Sequence, residues 1–531
     1  MAELGLKGQE ASITSTNQLQ RSLSWTGAFW VASGVPALVL FSIGGIAATI
    51  GAPSWAVWTL SIFMGFLQSF TYAEIAGLFP SKSGGASVYG AIAWVRYSKL
   101  VAPLSTWCNW FAWSPVLAIG TGLAAGYILT LFFPETSAIR TWEITLFNLG
   151  AVKEGLSLRI NSTFILGAVI LVFIFMAQHR GIAKAAKIQM IMAITALLPL
   201  ILIGVVPLFT GDVISANFAP FAPISGAWNT GGWTLFLGGM FIAAWSTYGF
   251  ETAVCYTSEF KNPKTDTFKA IFYSGLLCMF VFIMVPLTFQ GVLGVTGMTD
   301  PGILDGSGVA AAMAGMIHAG PIVANVIVVM LILALLLSIM TSMAGSARTL
   351  YQASVDGWLP KYLSHVNSHG APTKAMWTDL TFNLILLMMS DYLFVLAASN
   401  VGYIIFNFLN LNSGWIHRLD NGHIDRPWKA PSWLIGVNTL LGFTNLMFMG
   451  AGAKVWGSGT LATGLIMASL IIPVFLYRHY VTDKGKFPDK MYEDLIMPDG
   501  SMVEKKAGYL PYLALAVGVA VVIISNIVFT L

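Results

Sequence analysis

The chain has 531 residues, of which 56% are hydrophobic and only 9% are charged, and its formal net charge is +4. A soluble domain carries about 25% charged residues, so this composition excludes an ordinary soluble protein and indicates a chain built to lie in a membrane. The small positive excess is spread between apolar stretches, which argues against a nucleic-acid-binding surface.

Thirteen apolar stretches are each long enough to cross a membrane as a helix of roughly 20 residues. The predicted spans 1 to 13 lie near 25–50, 53–79, 100–132, 160–178, 187–209, 231–258, 268–294, 319–350, 374–390, 392–414, 432–451, 458–477 and 508–530. The first stretch is too long for the apolar region of a cleaved signal, so it is interpreted as a permanent span. The sequence therefore predicts an all-α integral membrane protein with a polar segment at 1–24.

The basic residues predict the orientation. With the N-terminus inside, 23 of the 27 Lys and Arg residues fall on the cytoplasmic side. The opposite side keeps only Arg140, Lys153, Arg159 and Lys454. The positive-inside rule then predicts a cytoplasmic N-terminus and, with thirteen spans, a C-terminus outside. We expect a multi-pass protein of the cell (plasma or inner) membrane.

Two loops stand out by length. The segment 133–159 is the longest on the outer side and has room for a short surface helix. The cytoplasmic segment 478–506 is hydrophilic and is expected to be flexible. Neither carries a phosphate-binding loop, a zinc-protease motif or a nucleophile elbow, so the sequence predicts neither an enzyme nor an ATP-driven pump, and no organic cofactor. Cys108, Cys255 and Cys278 lack metal-ligand spacing and are expected to be buried thiols.

Two of the predicted spans are interrupted near their middle. The break in span 1 consists of Ser33, Gly34, Val35, Pro36 and Ala37. The break in span 6 consists of Ala244, Trp245, Ser246, Thr247, Tyr248 and Gly249, with Glu251 just beyond it. An unwound turn at membrane depth survives only where it lines a protein cavity. A pair of interrupted spans at matching places in two halves of a chain indicates the substrate site of a secondary transporter.

Three local motifs follow the same order and spacing as those of a known family. The first is YAEIAGLFP at 72–80 with SGGA at 83–86 and Tyr89; the second is WSTYGFE at 245–251 with SE at 258–259 and KNP at 261–263; the third is Arg348 with YQA at 351–353 and DGWLP at 356–360. In register over most of 25–477, they resemble the amino acid–polyamine–organocation (APC) transporter superfamily. The break in span 1 departs from that family's usual glycine-rich pattern, and Pro36 removes one N–H.

The resemblance implies a LeuT-like 5+5 inverted repeat. The transporter core would be 25–414, made of two five-helix repeats at 25–209 and 231–414. Peripheral spans 11 and 12 would occupy 432–477, and span 13 at 508–530 exceeds the family's common twelve.

The expected site follows from the chemistry of an amino acid. Free N–H groups at a half-helix N-terminus can hold a carboxylate, and freed carbonyls can hold an ammonium group. The expected substrate-binding residues are Ser33, Gly34, Val35, Pro36, Ala37, Ala244, Trp245, Ser246 and Tyr248. By resemblance, Trp245 matches an aromatic residue that covers the substrate, which would make it a gate. The alternatives are a simple proline kink in span 1 and a tryptophan that only packs.

Coupling residues are sought among buried polar groups. Glu251 is the main candidate because an ionisable residue inside a span is a functional hypothesis by default, although it would also suit the first turn of a half-helix. Ser338, Thr341 and Ser342 share one helix face and, with carbonyls from the first break, offer a possible Na⁺ site. Many proton-coupled relatives place a lysine of span 5 there, whereas the stretch 194–199 has none. Helix packing by small polar residues is the alternative.

The remaining polar residues have weaker assignments. Cavity-wall candidates are Asn109, Trp113, Ser114, Ser399 and Asn400. Glu74 is expected to be structural or part of an inner gate. Asp379 and Asp391 are expected to be solvated helix ends.

The predicted function is secondary active transport of amino acids with Na⁺ or H⁺ as a possible coupling ion. Neutral substrates are favoured because the core offers few acidic groups beyond Glu251. The alternatives left open are a polyamine or amine carrier, an amino acid exchanger, and a nutrient sensor on the same fold. The expected partners are a small-molecule substrate and the lipid bilayer.

Overall fold

The computed structural model describes residues 19, 21–304, 306–497 and 499–529, without the side chains of residues 182 and 183. Most of the predicted segment 1–24 therefore lies outside the described residues. Among those described, nine helices are long and apolar enough to cross a membrane. The protein is a multi-pass, all-α membrane protein, and the count of thirteen spans stays a prediction.

Every predicted span coincides with helix. The long helices, in chain order, are Trp25–Ala32 with Val39–Ile50, Ser54–Leu78, Val101–Trp113 with Val116–Phe132, Ser162–Gln178, Ile182–Thr210, Thr230–Thr247, Pro263–Met298, Pro321–Val355, Thr373–Leu386, Tyr392–Asp420, Ser432–Gly452, Thr460–Ser469 with Ile471–Leu476, and Leu510–Val528. The short α-helices are Ala86–Trp94, Ala138–Thr141, Pro301–Leu304, Val309–Gly315 and Asp489–Tyr492. The 3-10 segments are Val35–Leu38, Ser215–Phe218, Gly249–Glu259, Lys361–Ser364, Ala453–Trp456 and Glu493–Leu495, and Tyr477–Thr482 is a π-helical turn.

Polar caps fix where several of these helices begin. The side chain of Asn229 accepts from the Gly232 N–H at 2.9 Å, and the side chain of Asp391 accepts from the Phe394 N–H at 2.9 Å. Each cap satisfies one of the N–H groups that a helix start leaves free. Asp391 thus separates span 9 from span 10 by capping the start of the second helix.

Burial separates central from peripheral spans. In its most apolar window, the helix pair of span 1 at Trp25–Ile50 is 94% buried by the protein, and Tyr392–Asp420 is 83% buried. The corresponding values are 28% for Thr460–Thr482 and 17% for Leu510–Val528. Spans 1 and 10 therefore lie at the centre of the bundle, whereas spans 12 and 13 lie at its edge.

One face of the bundle carries a β-hairpin that the sequence did not predict. Strands Glu143–Asn148 and Ser157–Asn161 pair antiparallel, with an irregularity between Thr145 and Phe147. The expected surface helix in this loop is the single turn Ala138–Thr141. We call this side the hairpin face.

The opposite side carries most of the ion pairs formed by loop residues, and we call it the basic face. The loop at 478–506, which the sequence predicts to be flexible, docks part of its length on the bundle here. Met491 is fully buried, Leu495 and Val503 are nearly so, and the Val503 N–H donates to the Leu495 carbonyl at 2.9 Å. The sequence did not reveal this docking because apolar residues are sparse in this loop, and only some of them, such as Met491 and Leu495, are buried.

Candidate functional site

The two breaks lie side by side and unwind differently. Span 1 leaves the α-helix after Ala32, passes through the 3-10 turn Val35–Leu38 and resumes at Val39. Span 6 leaves the α-helix after Thr247 and continues as a 3-10 segment to Glu259. Both changes shift backbone carbonyls away from their α-helical partners, which is tolerated at membrane depth only inside protein.

Gly34 explains how span 1 approaches span 8. A Cβ at this position would lie 2.5 Å from both the Leu337 carbonyl oxygen and Thr341 Oγ1. Any side chain would therefore push the two spans apart. The glycine is required by close packing of backbone on backbone.

An aromatic box closes over the breaks. Trp245 is fully buried, its indole N–H donates to the Ala112 carbonyl at 2.9 Å, and its ring centroid lies 5.8 Å from that of Phe41 and 6.3 Å from that of Trp113. Tyr403 lies 5.9 Å from Trp113. The aromatic box is defined here as Phe41, Trp113, Trp245, Tyr248 and Tyr403.

Phe41 and Tyr403 were missed by the sequence reading. Phe41 follows Ala37 by one helical turn, and Tyr403 follows Ser399 by one turn, so helical spacing could have found both. Neither sits in a motif, and the bundle holds many other aromatic side chains that look the same in sequence.

A cavity of about 630 Å³ opens above the aromatic box on the hairpin face. Leu40, Phe41 and Gly44 of span 1 line it, together with Arg159 and Asp391 near its mouth. Phe41 also touches Trp245, so these two rings separate the cavity from the breaks. The volume is in the range of small-molecule sites, roughly 300–1,000 Å³.

The predicted substrate-binding residues of the two breaks lie inside the protein. They are all buried: Ser33, Gly34, Val35, Pro36, Ala37, Ala244, Trp245, Ser246 and Tyr248. Ser33 Oγ donates to the Phe29 carbonyl of its own helix at 2.7 Å, so this hydroxyl is engaged within span 1. Ser246 Oγ donates at 3.5 Å to the Leu38 carbonyl and so bridges the two broken spans.

Glu251 lies at the junction between the aromatic box and the basic face. Its side chain is buried, and Oε1 accepts from the Trp113 indole N–H at 2.9 Å. Oε2 lies beside Gly85, which caps the short helix Ala86–Trp94. The carboxylate is thus set between span 3, span 6 and the N-terminus of a short helix.

A neutral side chain, that of Gln189, lies within the candidate Na⁺ site. Thr341 Oγ1 donates to the Val31 carbonyl, and Gln189 Nε2 lies 3.3 Å from the same carbonyl and 3.5 Å from Thr341 Oγ1. Ser338 Oγ donates to Leu335 of its own helix at 2.7 Å, and Ser342 is buried beside it. Gln189 belongs to span 5 but precedes the stretch 194–199, where a lysine would be expected, so the sequence did not predict its role.

The cavity-wall candidates divide into two groups. Trp113 belongs to the aromatic box, and Asn109 Oδ1 accepts from Thr349 Oγ1 at 3.3 Å near the basic face. Ser399 Oγ donates to Leu396 of its own helix at 2.8 Å, and Asn400 Nδ2 donates to the Phe241 carbonyl of span 6. The structure therefore brings Trp113 to the breaks and engages the other side chains in helix contacts.

Ser114 leads to a correction. Its hydroxyl donates at 2.5 Å to Asp379 Oδ1, which also accepts from the Trp110 indole at 2.8 Å, while Ser346 donates to Oδ2. The expectation that Asp379 is a solvated helix end is wrong, since its side chain is fully buried. Asp379 ties span 9 to spans 3 and 8, which its place near one end of an apolar stretch did not reveal. Asp391 is partly exposed, as expected.

Buried ion pairs close the basic face. Arg348 pairs in bidentate fashion with Glu259, and Lys82 pairs with Asp356. All four side chains are at most 4% exposed. Around them, the Gly84 N–H donates to the Cys255 carbonyl at 3.0 Å and Ser83 Oγ lies 2.5 Å from Ser258 Oγ.

Glu74 belongs to the same face. Its carboxylate accepts from Arg418 at 2.9 and 2.6 Å and from Arg426 at 3.2 Å. The Ala430 N–H also donates to it at 2.8 Å. It thereby holds the loop after span 10 against the end of span 2.

Comparison with known proteins assigns this architecture. Two broken helices, a buried aromatic box and an open cavity on one face define a membrane transporter. The family model described as amino acid permease matches residues 23–476. The chain belongs to this amino acid permease family of the APC superfamily.

Individual relatives match the chain at low sequence identity. The chain is 26% identical over 376 residues to the branched-chain amino acid permease BcaP of Bacillus subtilis (strain 168), covering 68% of this chain and 69% of that protein. It is 22% identical over 449 residues to the permease of the same name from Lactococcus lactis subsp. cremoris (strain MG1363), covering 80% and 88%. It is 24% identical over 407 residues to human solute carrier family 7 member 13, covering 73% and 74%.

Proposed function

We propose that this protein is a secondary active transporter that carries neutral amino acids across the cell membrane by alternating access. The observation that carries the proposal is the buried pair of breaks, closed by Phe41 and Trp245 toward an open cavity and by ion pairs toward the basic face. A carrier needs a central site with a separate closure toward each side, and each closure must open in turn.

The lining of the breaks supports the substrate class. Unwound backbone offers N–H and C=O groups to an α-amino acid head, while the neighbouring side chains are mostly apolar or aromatic. Burying an unpaired side-chain charge there would cost several kcal/mol. Glu251, which accepts from Trp113, is an acid beside the aromatic box, so cationic substrates rank second and acidic ones last. Two relatives named as branched-chain amino acid permeases support a neutral substrate.

The orientation of the cycle follows from charge. The four basic residues predicted to lie outside belong to the hairpin face or adjoin it. There, Lys153 pairs with Asp391, and Lys454 donates to the Asn526 carbonyl near the C-terminal end of span 13. By the positive-inside rule the basic face is then cytoplasmic and the cavity opens outward. In this orientation the structure corresponds to a carrier whose inner closure is shut.

Coupling has two candidates within the site. Na⁺ would use Ser338, Thr341, Ser342 and carbonyls of the first break, but Gln189 already donates toward the same oxygens and would have to move aside. A proton would use Glu251, which faces Trp113. Replacing Gln189 by Ala should therefore strengthen any Na⁺ dependence, whereas replacing Glu251 by Gln should abolish any dependence on a pH gradient.

The test is uptake by the purified protein in proteoliposomes, with labelled leucine, lysine and glutamate supplied in separate assays. Leucine uptake above that of empty liposomes, with lysine weaker and glutamate weakest, is the expected result. Imposed Na⁺ and pH gradients then identify the coupling ion, and liposomes preloaded with unlabelled substrate distinguish an exchanger. Strong glutamate uptake without leucine uptake would contradict the proposed substrate class.

A further inference from the structure

The loop after span 12 reaches into the closure of the basic face. Lys82, which pairs with Asp356, also pairs with Asp494 at 2.9 Å. Asp356 lies at the end of span 8, Lys82 follows span 2, and Asp494 lies in the 3-10 turn Glu493–Leu495 of the loop. One ammonium group therefore joins three parts of the chain.

Apolar side chains anchor the same stretch. Met491 is fully buried, and Phe487 and Leu495 are 7% and 5% exposed. Pro488 packs on Gly357 so closely that a Cβ on this glycine would lie 2.4 Å from the proline Cδ. We call residues 487–497 the latch. A loop segment that buries three apolar side chains, Phe487, Met491 and Leu495, is docked by the hydrophobic effect.

Hydrogen bonds and an ion pair hold the loop against the basic face on both sides of the latch. Before it, Arg478 donates to the Leu359 carbonyl at 2.7 Å, and Lys361 pairs with Asp483 at 3.0 Å. After it, the Ala507 N–H donates to Asp420 at 2.9 Å. The loop that contains the latch is thus held against the ends of spans 8 and 10.

The latch also lies beyond the part of the chain that the family model matches, which ends at residue 476. Its contacts with Lys82 and Gly357 are therefore made by a segment outside the matched region. A segment that contacts a closure can change how readily the closure opens without altering the substrate site.

We propose that the latch, residues 487–497, holds the basic face closed, and that its undocking from Lys82 and Gly357 precedes opening of this face. The proposal rests on the alternating access proposed above. The docked latch therefore slows transport. Weakening the latch should therefore raise the fraction of molecules open at the basic face.

Cys255 is a native reporter for this opening. Its side chain is 2% exposed, and its backbone carbonyl accepts from Gly84 within the closure. The parent protein for the test carries Cys108→Ser and Cys278→Ser, which leaves Cys255 as its single thiol. The rate at which a bulky, water-soluble maleimide labels this thiol in nanodiscs then measures opening without any transport assay.

Two pairs of variants test the latch. Met491→Ala removes a buried anchor, and Met502→Ala makes the same chemical change at a side chain that is 54% exposed in the same loop. Asp494→Lys places a second cation beside Lys82, and Asp499→Lys makes the same change at an exposed position of the loop. We expect Met491→Ala and Asp494→Lys to speed labelling by about tenfold and the two control variants to leave it unchanged.

The outcomes are decisive in both directions. Faster labelling in either latch variant, with both controls at the parent rate, supports the latch. Parent-like labelling in both latch variants overturns it, as does equal acceleration by the controls. Because labelling needs no substrate, failure of the latch is distinguishable from failure of the proposed transport function, which the uptake assay tests alone.

Discussion

The two faces of the bundle use the same kind of ion pair to different effect. On the hairpin face, Arg159 and Glu143 pair at 2.7 Å while 31% and 36% exposed. On the basic face, Arg348 and Glu259 pair while 4% and 1% exposed. A solvated pair contributes about 0–1 kcal/mol, whereas removing one partner of a buried pair costs about 3–5 kcal/mol.

The difference in burial indicates which face is held shut. The hairpin face has an open cavity and solvated pairs, so its loops can move at little cost in interaction energy. The basic face has buried pairs such as Arg348–Glu259, whose contacts must be exchanged for water when it opens. For the alternating access proposed above, we therefore expect the larger barrier at the basic face.

The largest expected effect comes from breaking the buried pair. Arg348→Ala leaves Glu259 buried without its cation, so the free energy of unfolding should fall by about 3–5 kcal/mol. Arg159→Ala, the matched change on the hairpin face, should cost about 1 kcal/mol or less. Thermal unfolding of the purified protein in detergent measures both. Equal shifts of the two variants would remove the distinction between the faces.

A second expected effect concerns two aspartates of neighbouring helices. Asp379→Ala leaves the Trp110, Ser114 and Ser346 donors buried without an acceptor, which should cost on the order of 3 kcal/mol of stability. Asp391→Ala removes a helix cap and a partly exposed ion pair, for about 1 kcal/mol. Thermal unfolding again provides the measurement. A larger loss for Asp391→Ala would mean that the buried network contributes less than its hydrogen bonds suggest.

The third prediction tests the closure on the cavity side. Trp245→Ala should slow transport by roughly tenfold or more while weakening equilibrium substrate binding much less, because the ring acts mainly in the conformational cycle. Trp233→Ala, at a position 46% exposed on the same helix, is the control and should change neither. Initial uptake rates and direct binding of labelled leucine provide the comparison. Equal, small effects on rate and binding would support a tryptophan that only packs.

The sequence was most informative where local chemistry decides local structure. Gly34 and Pro36 mark the first break, Gly249 marks the second, and an apolar run of sufficient length marks each helix. These signals act within a few residues of one another, so they could be interpreted from the sequence alone.

The features that were missed depend on partners far apart in the chain. Gln189 meets Thr341 across 152 residues, and Ser114 meets Asp379 across 265. No local pattern distinguishes these side chains from other polar residues in apolar helices. The latch was missed for the same reason, because Asp494 acquires its partner Lys82 only in the folded bundle.

The smallest expected effect is a pH dependence of the latch. Burial, together with the nearby Asp356 and Glu493 carboxylates, raises the pKa of Asp494 from an ordinary 3.8 to about 6, and Lys82 opposes the rise. The docked latch therefore binds a proton more tightly than the undocked one. By linkage, docking gains strength as the pH falls through about 6 and loses it as the pH rises. Between pH 7 and 5.5 the docking equilibrium should tighten about fourfold.

The measurement is the maleimide labelling rate of Cys255, taken relative to Asp494→Asn at each pH, which cancels the thiol's own pH dependence. Asp494→Asn mimics the protonated side chain, so the ratio of the parent rate to the variant rate should fall toward one as the pH is lowered. A ratio that stays constant, or rises on acidification, would show that Asp494 docks as the charged form and that the latch does not respond to pH.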